Sequence, residues 1–199
     1  MNIKLIPVAA LFVREDSIYK TLSGVDCYDA ARNALTWPGG CPVVAHPPCR
    51  LWGSLRGLSK APKEEKALAL WAVNQVRTWS GVLEHPKNST LWESAKLPIP
   101  GKKDYSNGFT FAAPQWWWGH RANKMTWFYI CGMDPSQMPP VPFRLGIAER
   151  VITNSHGLRS GMTGFRTQVT NRERDATPPA LAAWLVEVAQ RCHPACKKN

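Results

Sequence analysis

Short apolar runs that break off at polar clusters constrain this chain most. Residues 7–13, Pro-Val-Ala-Ala-Leu-Phe-Val, have the length and content of a buried strand and stop at Arg14-Glu15-Asp16. Residues 41–45, Cys-Pro-Val-Val-Ala, form a second such run, which ends at His46-Pro47-Pro48-Cys49. Neither proline has an N–H to give to a ladder, so Cys49 is predicted in a loop just past a strand's carboxyl end. A third run, Val82-Leu83, leads into Glu84-His85-Pro86. Val25–Tyr28 predicts a short strand, and 126–131, Thr-Trp-Phe-Tyr-Ile-Cys, another, rich in aromatic and β-branched residues.

Between the second and third runs lies a helix, from Lys63 to Trp79. Leu68, Ala72, Val76 and Trp79 share one face, Lys63 to Lys66 make a charged first turn, and Gly81 follows as a stop. A last helix is expected over about 179–191: Pro178-Pro179 suits a first turn, and Leu181, Trp184, Leu185 and Val188 would dock it. Strand, loop, helix, strand predicts an α/β fold, a Rossmann-like three-layer domain with a largely parallel sheet. The 199 residues are expected to form one domain, 1–199. Within it, Pro135 to Pro142 reads as a proline-rich loop. About 154–177, where Gly157, Gly161 and Gly164 interleave with Arg159, Arg166, Arg172 and Arg174, reads as a mobile basic loop.

Charge points to the partner. Lys and Arg number 25 against 14 Asp and Glu, a formal +11, which favours DNA or a nucleotide because phosphate contacts release counterions. The expected contacts are Arg159, Arg166, Arg172, Arg174 and Arg121, with Lys60, Lys63, Lys102 and Lys103 as the other basic face. Ten tryptophans exceed what core filling needs, and one of Trp116-Trp117-Trp118 is a candidate base-stacking surface. No apolar run approaches the roughly 20 residues of a membrane span. Six scattered cysteines without a secretory signal fit a cytoplasmic protein. Cys192, His193 and Cys196 read as a frayed tail rather than a metal site.

Polar groups that could do chemistry gather at predicted strand ends: Cys49, Glu84 and the segment from Gln115 to Lys124. A thiolate attacks an electron-poor carbon, and Arg50 and His46 are near enough in sequence to lower the thiol below its ordinary pKa of about 8.5. A carboxyl group beside it could hydrogen-bond or protonate a ring nitrogen, making that carbon more electrophilic.

Val44-Ala45-His46-Pro47-Pro48-Cys49 resembles the Pro-Cys nucleophile loop of cytosine-C5 DNA methyltransferases. Val82-Leu83-Glu84-His85-Pro86 is similar to that family's next strand, which ends in Glu-Asn, with His85 in place of the asparagine. Gln115 to Lys124 stands where the family has Gln-x-Arg-x-Arg, and 176–182 is similar to its terminal helix. The resemblance spans about 41–191 and suggests a small, phage-type member without a full target-recognition domain. It implies a methyltransferase-like fold and a transferase acting on a pyrimidine of DNA or a nucleotide. Cys49 would add to C6 and Glu84 would hold the ring protonated at N3, with Arg50, His120, Arg121 and Lys124 as cationic or acid–base groups. It also implies S-adenosylmethionine, yet the family's Phe-x-Gly-x-Gly loop is here Leu11-Phe12-Val13-Arg14-Glu15, so another one-carbon donor stays open.

Two other readings compete. His46, Cys49, His85 and His120 all fall at or beside predicted strand ends, a ligand set suited to zinc or iron in a metal-dependent nucleic-acid enzyme. A catalytically degenerate DNA-binding protein would also lack the glycine loop.

Overall fold

The computed structural model describes residues 6–153 and 160–192. Its six-stranded sheet contains β1 (Val8–Leu11), β2 (Val25–Tyr28), β3 (Val43–Ala45), β4 (Gly81–Pro86), β5 (Phe109–Pro114) and β6 (Met125–Cys131). The order is β2-β1-β3-β4-β6-β5. Strands β1 to β4 run parallel, and β6 lies antiparallel between β4 and β5. The expected mixed α/β architecture with a mostly parallel sheet is present.

Side-chain alternation sorts the sheet into two faces. Val8, Ala10, Val44, Val82, Phe128 and Ile130 meet helix α4 (Pro179–Arg191), whose Leu181, Trp184, Leu185 and Val188 are buried as expected. Ala9, Leu11, Val43, Ala45, Leu83 and Tyr129 meet helix α1 (Lys66–Trp79). On α1 the buried set is Ala69, Ala72, Val73 and Val76, so the face is rotated from the predicted one. Small side chains there let the helix sit close on β3 and β4, while Trp79 turns aside onto Trp37, ring centroids 6.1 Å apart.

Gly81 does more than stop α1. It opens β4 at φ 123°, and a side chain there would run into the Val43 backbone of β3. The missing Cβ therefore lets the two site-bearing strands pair.

Two elements differ from the sequence reading. Glu84, His85 and Pro86 belong to β4 itself, because β6 pairs with them: Glu84 with Phe128, His85 with Trp127, Pro86 with Thr126. The expected loop over 154–177 contains a packed end. Helix α3 (Asn171–Asp175) starts on a capping box in which the Thr170 Oγ1 accepts from the Glu173 N–H at 3.2 Å and the Glu173 carboxylate accepts from the Thr170 N–H at 2.9 Å. Val169 is buried, and Gln168 bridges Val151. A short helix α2 (Leu91–Ser94) follows β4. No helix among the described residues is long and apolar enough to cross a membrane.

Candidate functional site

In a parallel α/β sheet the ligand crevice lies at the carboxyl ends of strands where the winding direction reverses. Here β1 connects outward to β2 and β3 connects the other way to β4, so the reversal falls between β1 and β3. The residues that leave these strands are Phe12 to Asp16 and His46 to Cys49.

The His46 N–H still donates to the Leu11 carbonyl at 3.0 Å, after which Pro47 and Pro48 take the chain out of the sheet. The Cys49 carbonyl accepts the N–H groups of Trp52 at 2.9 Å and Gly53 at 2.8 Å, closing a turn that presents the exposed Cys49. Across from it, on β4, Glu84 sits on the same face as His46 with 12% of its side chain exposed.

Glu84 is the hub of a hydrogen-bond network. His46 Nδ1 lies 3.1 Å from Glu84 Oε2, and His46 Nε2 lies 2.9 Å from the hydroxyl of buried Tyr19. Gln115, in the turn after β5, donates from Nε2 to Glu84 Oε1 at 2.8 Å and to Thr126 Oγ1 at 3.1 Å. Burial and the charge of Glu84 push the Tyr19 phenol well above its usual value, so it keeps its proton and shares a hydrogen bond with His46. His46 Nδ1 faces the carboxylate, which draws an N–H to that nitrogen. Burial would raise the Glu84 pKa, but the charge of Lys124 and the bond from His46 outweigh it and hold it down at about 2.

Cys49 answers to the same charges with the opposite sign. Although the residue is exposed, desolvation of its sulfur and the charge of Glu84 push the thiol pKa up, against a lowering by Lys124. The expected help from its neighbours does not reach it. Arg50 is turned onto Glu65, with Nε 2.7 Å from Oε1, and both ring nitrogens of His46 are engaged elsewhere. Resting Cys49 is therefore a thiol.

The other sequence candidates divide. Lys124 acts electrostatically on Glu84, Cys49 and His85 and belongs with the site. His120 is tied into backbone: Nδ1 accepts the Ala122 N–H at 3.0 Å and Nε2 donates to the Glu173 carbonyl at 3.1 Å. Arg121 is held by Glu149 at 2.6 Å and Glu173 at 2.9 Å. His85 alternates to the opposite face of β4, beside Trp92, with Nδ1 2.8 Å from Ser89 Oγ. Burial drives its pKa down to about 4, against the raising effects of Glu84 and the Pro48 backbone. The proposed ligand set His46, Cys49, His85 and His120 does not come together, and no cluster of three metal-binding side chains occurs among the described residues.

Of the phosphate candidates, Arg166 donates to the Ala148 carbonyl at 2.9 Å, Arg172 pairs with Asp16 at 2.9 Å and Arg174 with Asp175 at 3.1 Å. Arg159 lies outside the described residues. Trp118 is core, against Trp184, while half-buried Trp117 meets Phe143 and Trp116 lies under Arg144.

The end of β1 does not fit the close backbone approach that an S-adenosylmethionine loop makes. Phe12 takes φ 60°, a glycine-like conformation, but sets its ring edge-on against Trp71. Arg14 pairs with Asp16 at 2.8 Å, and these two with Glu15 line an open depression of about 570 Å³.

Sequence reasoning missed Tyr19 and Thr126 and had Gln115 only as the start of a segment. Tyr19 lies in a 3-10 turn with no motif around it. Gln115 directly follows β5, a strand that went unread. The chain matches no protein-family profile and no curated protein sequence.

Proposed function

We propose that this protein modifies a pyrimidine base of DNA or of a nucleotide, inside the cell, as a transferase of cytosine-C5 methyltransferase type on a Rossmann-like scaffold. The observation that carries the reading is that a thiol in the turn after β3 and a carboxylate on the neighbouring β4, Cys49 and Glu84, lie beside the sheet's reversal point within the field of one lysine. Cys49 adds to C6 of the ring, which makes C5 nucleophilic. Glu84 holds the far side of the ring, and Lys124 offsets the negative charge that addition creates. The group then added to C5 comes from an electrophilic one-carbon donor, and loss of the C5 proton to water re-forms C5=C6 and expels the Cys49 thiolate. The +11 charge supports a polyanionic partner. On duplex DNA the base would have to leave the stack, because C5 and C6 are buried there.

The thiol must lose its proton as it attacks. That proton passes to water, and the charge of Lys124, which lowers the thiol pKa against burial and Glu84, favours the attacking thiolate. A 5-fluoropyrimidine oligonucleotide tests the mechanism, since fluorine at C5 blocks the final elimination. With cell lysate as donor source, wild type is expected to give a mass-shifted adduct, Cys49→Ser none and Glu84→Gln much less. Retained base modification by Cys49→Ser would reject nucleophilic catalysis.

A further inference from the structure

Resting on the reading of Cys49 and Glu84 as a pyrimidine site, we infer that the turn after β5 and the segment 142–147 form a docking surface for single-stranded DNA. The base to be modified then arrives within a strand rather than as a free nucleotide.

The segment is Pro142-Phe143-Arg144-Leu145-Gly146-Ile147, and every one of these residues is exposed. Phe143, Leu145 and Ile147 keep 64%, 83% and 79% of their surface in water. One exposed apolar side chain is ordinary, but three in a short run beside further aromatic rings mark a surface made for a partner. Both ends of the run are anchored. Val141 packs on the core, Ala148 is buried, and the Arg150 N–H donates to the Arg121 carbonyl at 2.9 Å. The Phe143 ring stands edge-on to Trp117, centroids 5.0 Å apart, and the Arg144 guanidinium lies 5.8 Å from the centre of the Trp116 ring. Trp116 and Trp117 are themselves half-buried, so the rings of this group remain partly open to solvent.

The surface adjoins the site through one short turn. Gln115 donates to Glu84 Oε1 at 2.8 Å, and Trp116 is the next residue along. The Gln115 N–H donates to the Lys124 carbonyl at 3.0 Å, which closes the tip whose lysine acts on Glu84 and Cys49.

Charge selects the occupant. Arg121 and Arg150 lie against Glu149 and Glu173, whereas Arg144 meets no carboxylate among the described residues. In the basic segment Arg172 and Arg174 are paired with Asp16 and Asp175. A free guanidinium among aromatic rings suits a strand whose bases stack while its phosphates meet the cation. Duplex DNA keeps its base faces stacked on one another and offers none to these rings. A second copy would bring another chain of formal charge +11 against Arg144, which repulsion opposes.

Fluorescence anisotropy tests the surface, using a labelled single strand of about 15 nucleotides, the same strand with abasic sites throughout, and the matching duplex. Phe143→Ala is expected to weaken binding of the base-bearing strand about tenfold and to leave the abasic strand unchanged. Arg144→Ala should lower the salt slope by about one phosphate contact. Duplex should bind more weakly than single strand. Phe143→Ala binding the base-bearing strand as wild type does would overturn the inference, as would duplex binding as tight as single strand. So would a dimer in sedimentation that Leu145→Ser dissociates.

The 5-fluoropyrimidine trap, run with lysate on the strand and on the free 5′-monophosphate, separates this surface from the parent reading. Adduct on the strand, reduced in Phe143→Ala at limiting strand concentration, supports both. Equal adduct on the free nucleotide, untouched by Phe143→Ala, would overturn the docking surface and leave Cys49 as the nucleophile. Strand binding that depends on Phe143 with no adduct on either probe would keep the surface and reject the parent reading.

Discussion

Glu84 and Cys49 belong to neighbouring parallel strands, one within β4 and one in the turn after β3, and the fold holds them in opposite ways. Glu84 lies within β4, paired across to Phe128 of β6, and both its oxygens are hydrogen-bonded. Cys49 lies past two prolines in a turn, exposed, with its backbone carbonyl accepting from Trp52 and Gly53. The charges are opposed as well, since the field that keeps Glu84 ionised comes from Lys124 and the field of Glu84 keeps Cys49 neutral. The difference separates recognition from attack. The group that reads the ring is built into the sheet and pre-ordered, while the group that bonds to it sits on a loop that can follow the carbon as it changes from planar to tetrahedral.

The largest effect should come from breaking the fixed member. Glu84→Gln leaves the His46 proton without its charged acceptor, and at pH 7 we expect a loss of about 3 kcal/mol in denaturant unfolding. The pH dependence gives the sign independently. The Glu84 pKa is lowered in the fold from an ordinary 4.5 to about 2, so its contribution is complete above about 4.5 and is lost as pH falls through about 2. Wild type should lose stability across that window, and Glu84→Gln should be nearly flat there. A wild-type acid limb that persists unchanged in the variant would show that Glu84 is not the pre-ordered member.

His85, one residue along β4 and on its other face, sharpens the comparison with an effect no larger than that of Glu84, on a separate pH limb. Its pKa is lowered from 6.5 to about 4, so the unfolded chain takes up a proton before the folded one does. Stability should fall as pH drops from about 6.5 to about 4 and then level off, by about 3 kcal/mol. His85→Phe should remove this upper limb and leave the Glu84 window in place. If both limbs vanish together, the two faces of β4 titrate as one unit and the separation drawn above fails.

How much of this was legible in the sequence follows from which forces are local. The proline pair after β3 placed Cys49 past a strand end, and helical periodicity with flanking glycine or proline marked α1 and α4. Glu84 was recognised, but as a residue past its strand, because only β6 extends the ladder to it and strand pairing is not a local property. Strand β5, Phe-Thr-Phe-Ala-Ala-Pro, carries two alanines and a final proline and gives a weak β signal. Missing it hid Gln115, the first residue after it. Tyr19 reaches His46 from a short turn that no periodicity announces. For the basic segment the overlooked signal was local after all, since Thr170-Asn171-Arg172-Glu173 is a capping-box pattern and α3 begins there.

Cys49 itself should give the smallest effect on stability and so marks the other end of the comparison. Cys49 is exposed, and exchanging its sulfur for oxygen should shift unfolding by less than about 0.5 kcal/mol, the range of most surface substitutions. The same change should abolish covalent trapping, because a serine hydroxyl in the field of Glu84 is a far weaker nucleophile than a thiol. Glu84→Gln is expected to lower stability and trapping together, and Cys49→Ser to lower trapping alone. Equilibrium unfolding at pH 7, run beside the trapping assay on both variants, measures the contrast. If Cys49→Ser destabilises as much as Glu84→Gln, the thiol belongs to the packed framework, and the division between a fixed reader and a free nucleophile is wrong.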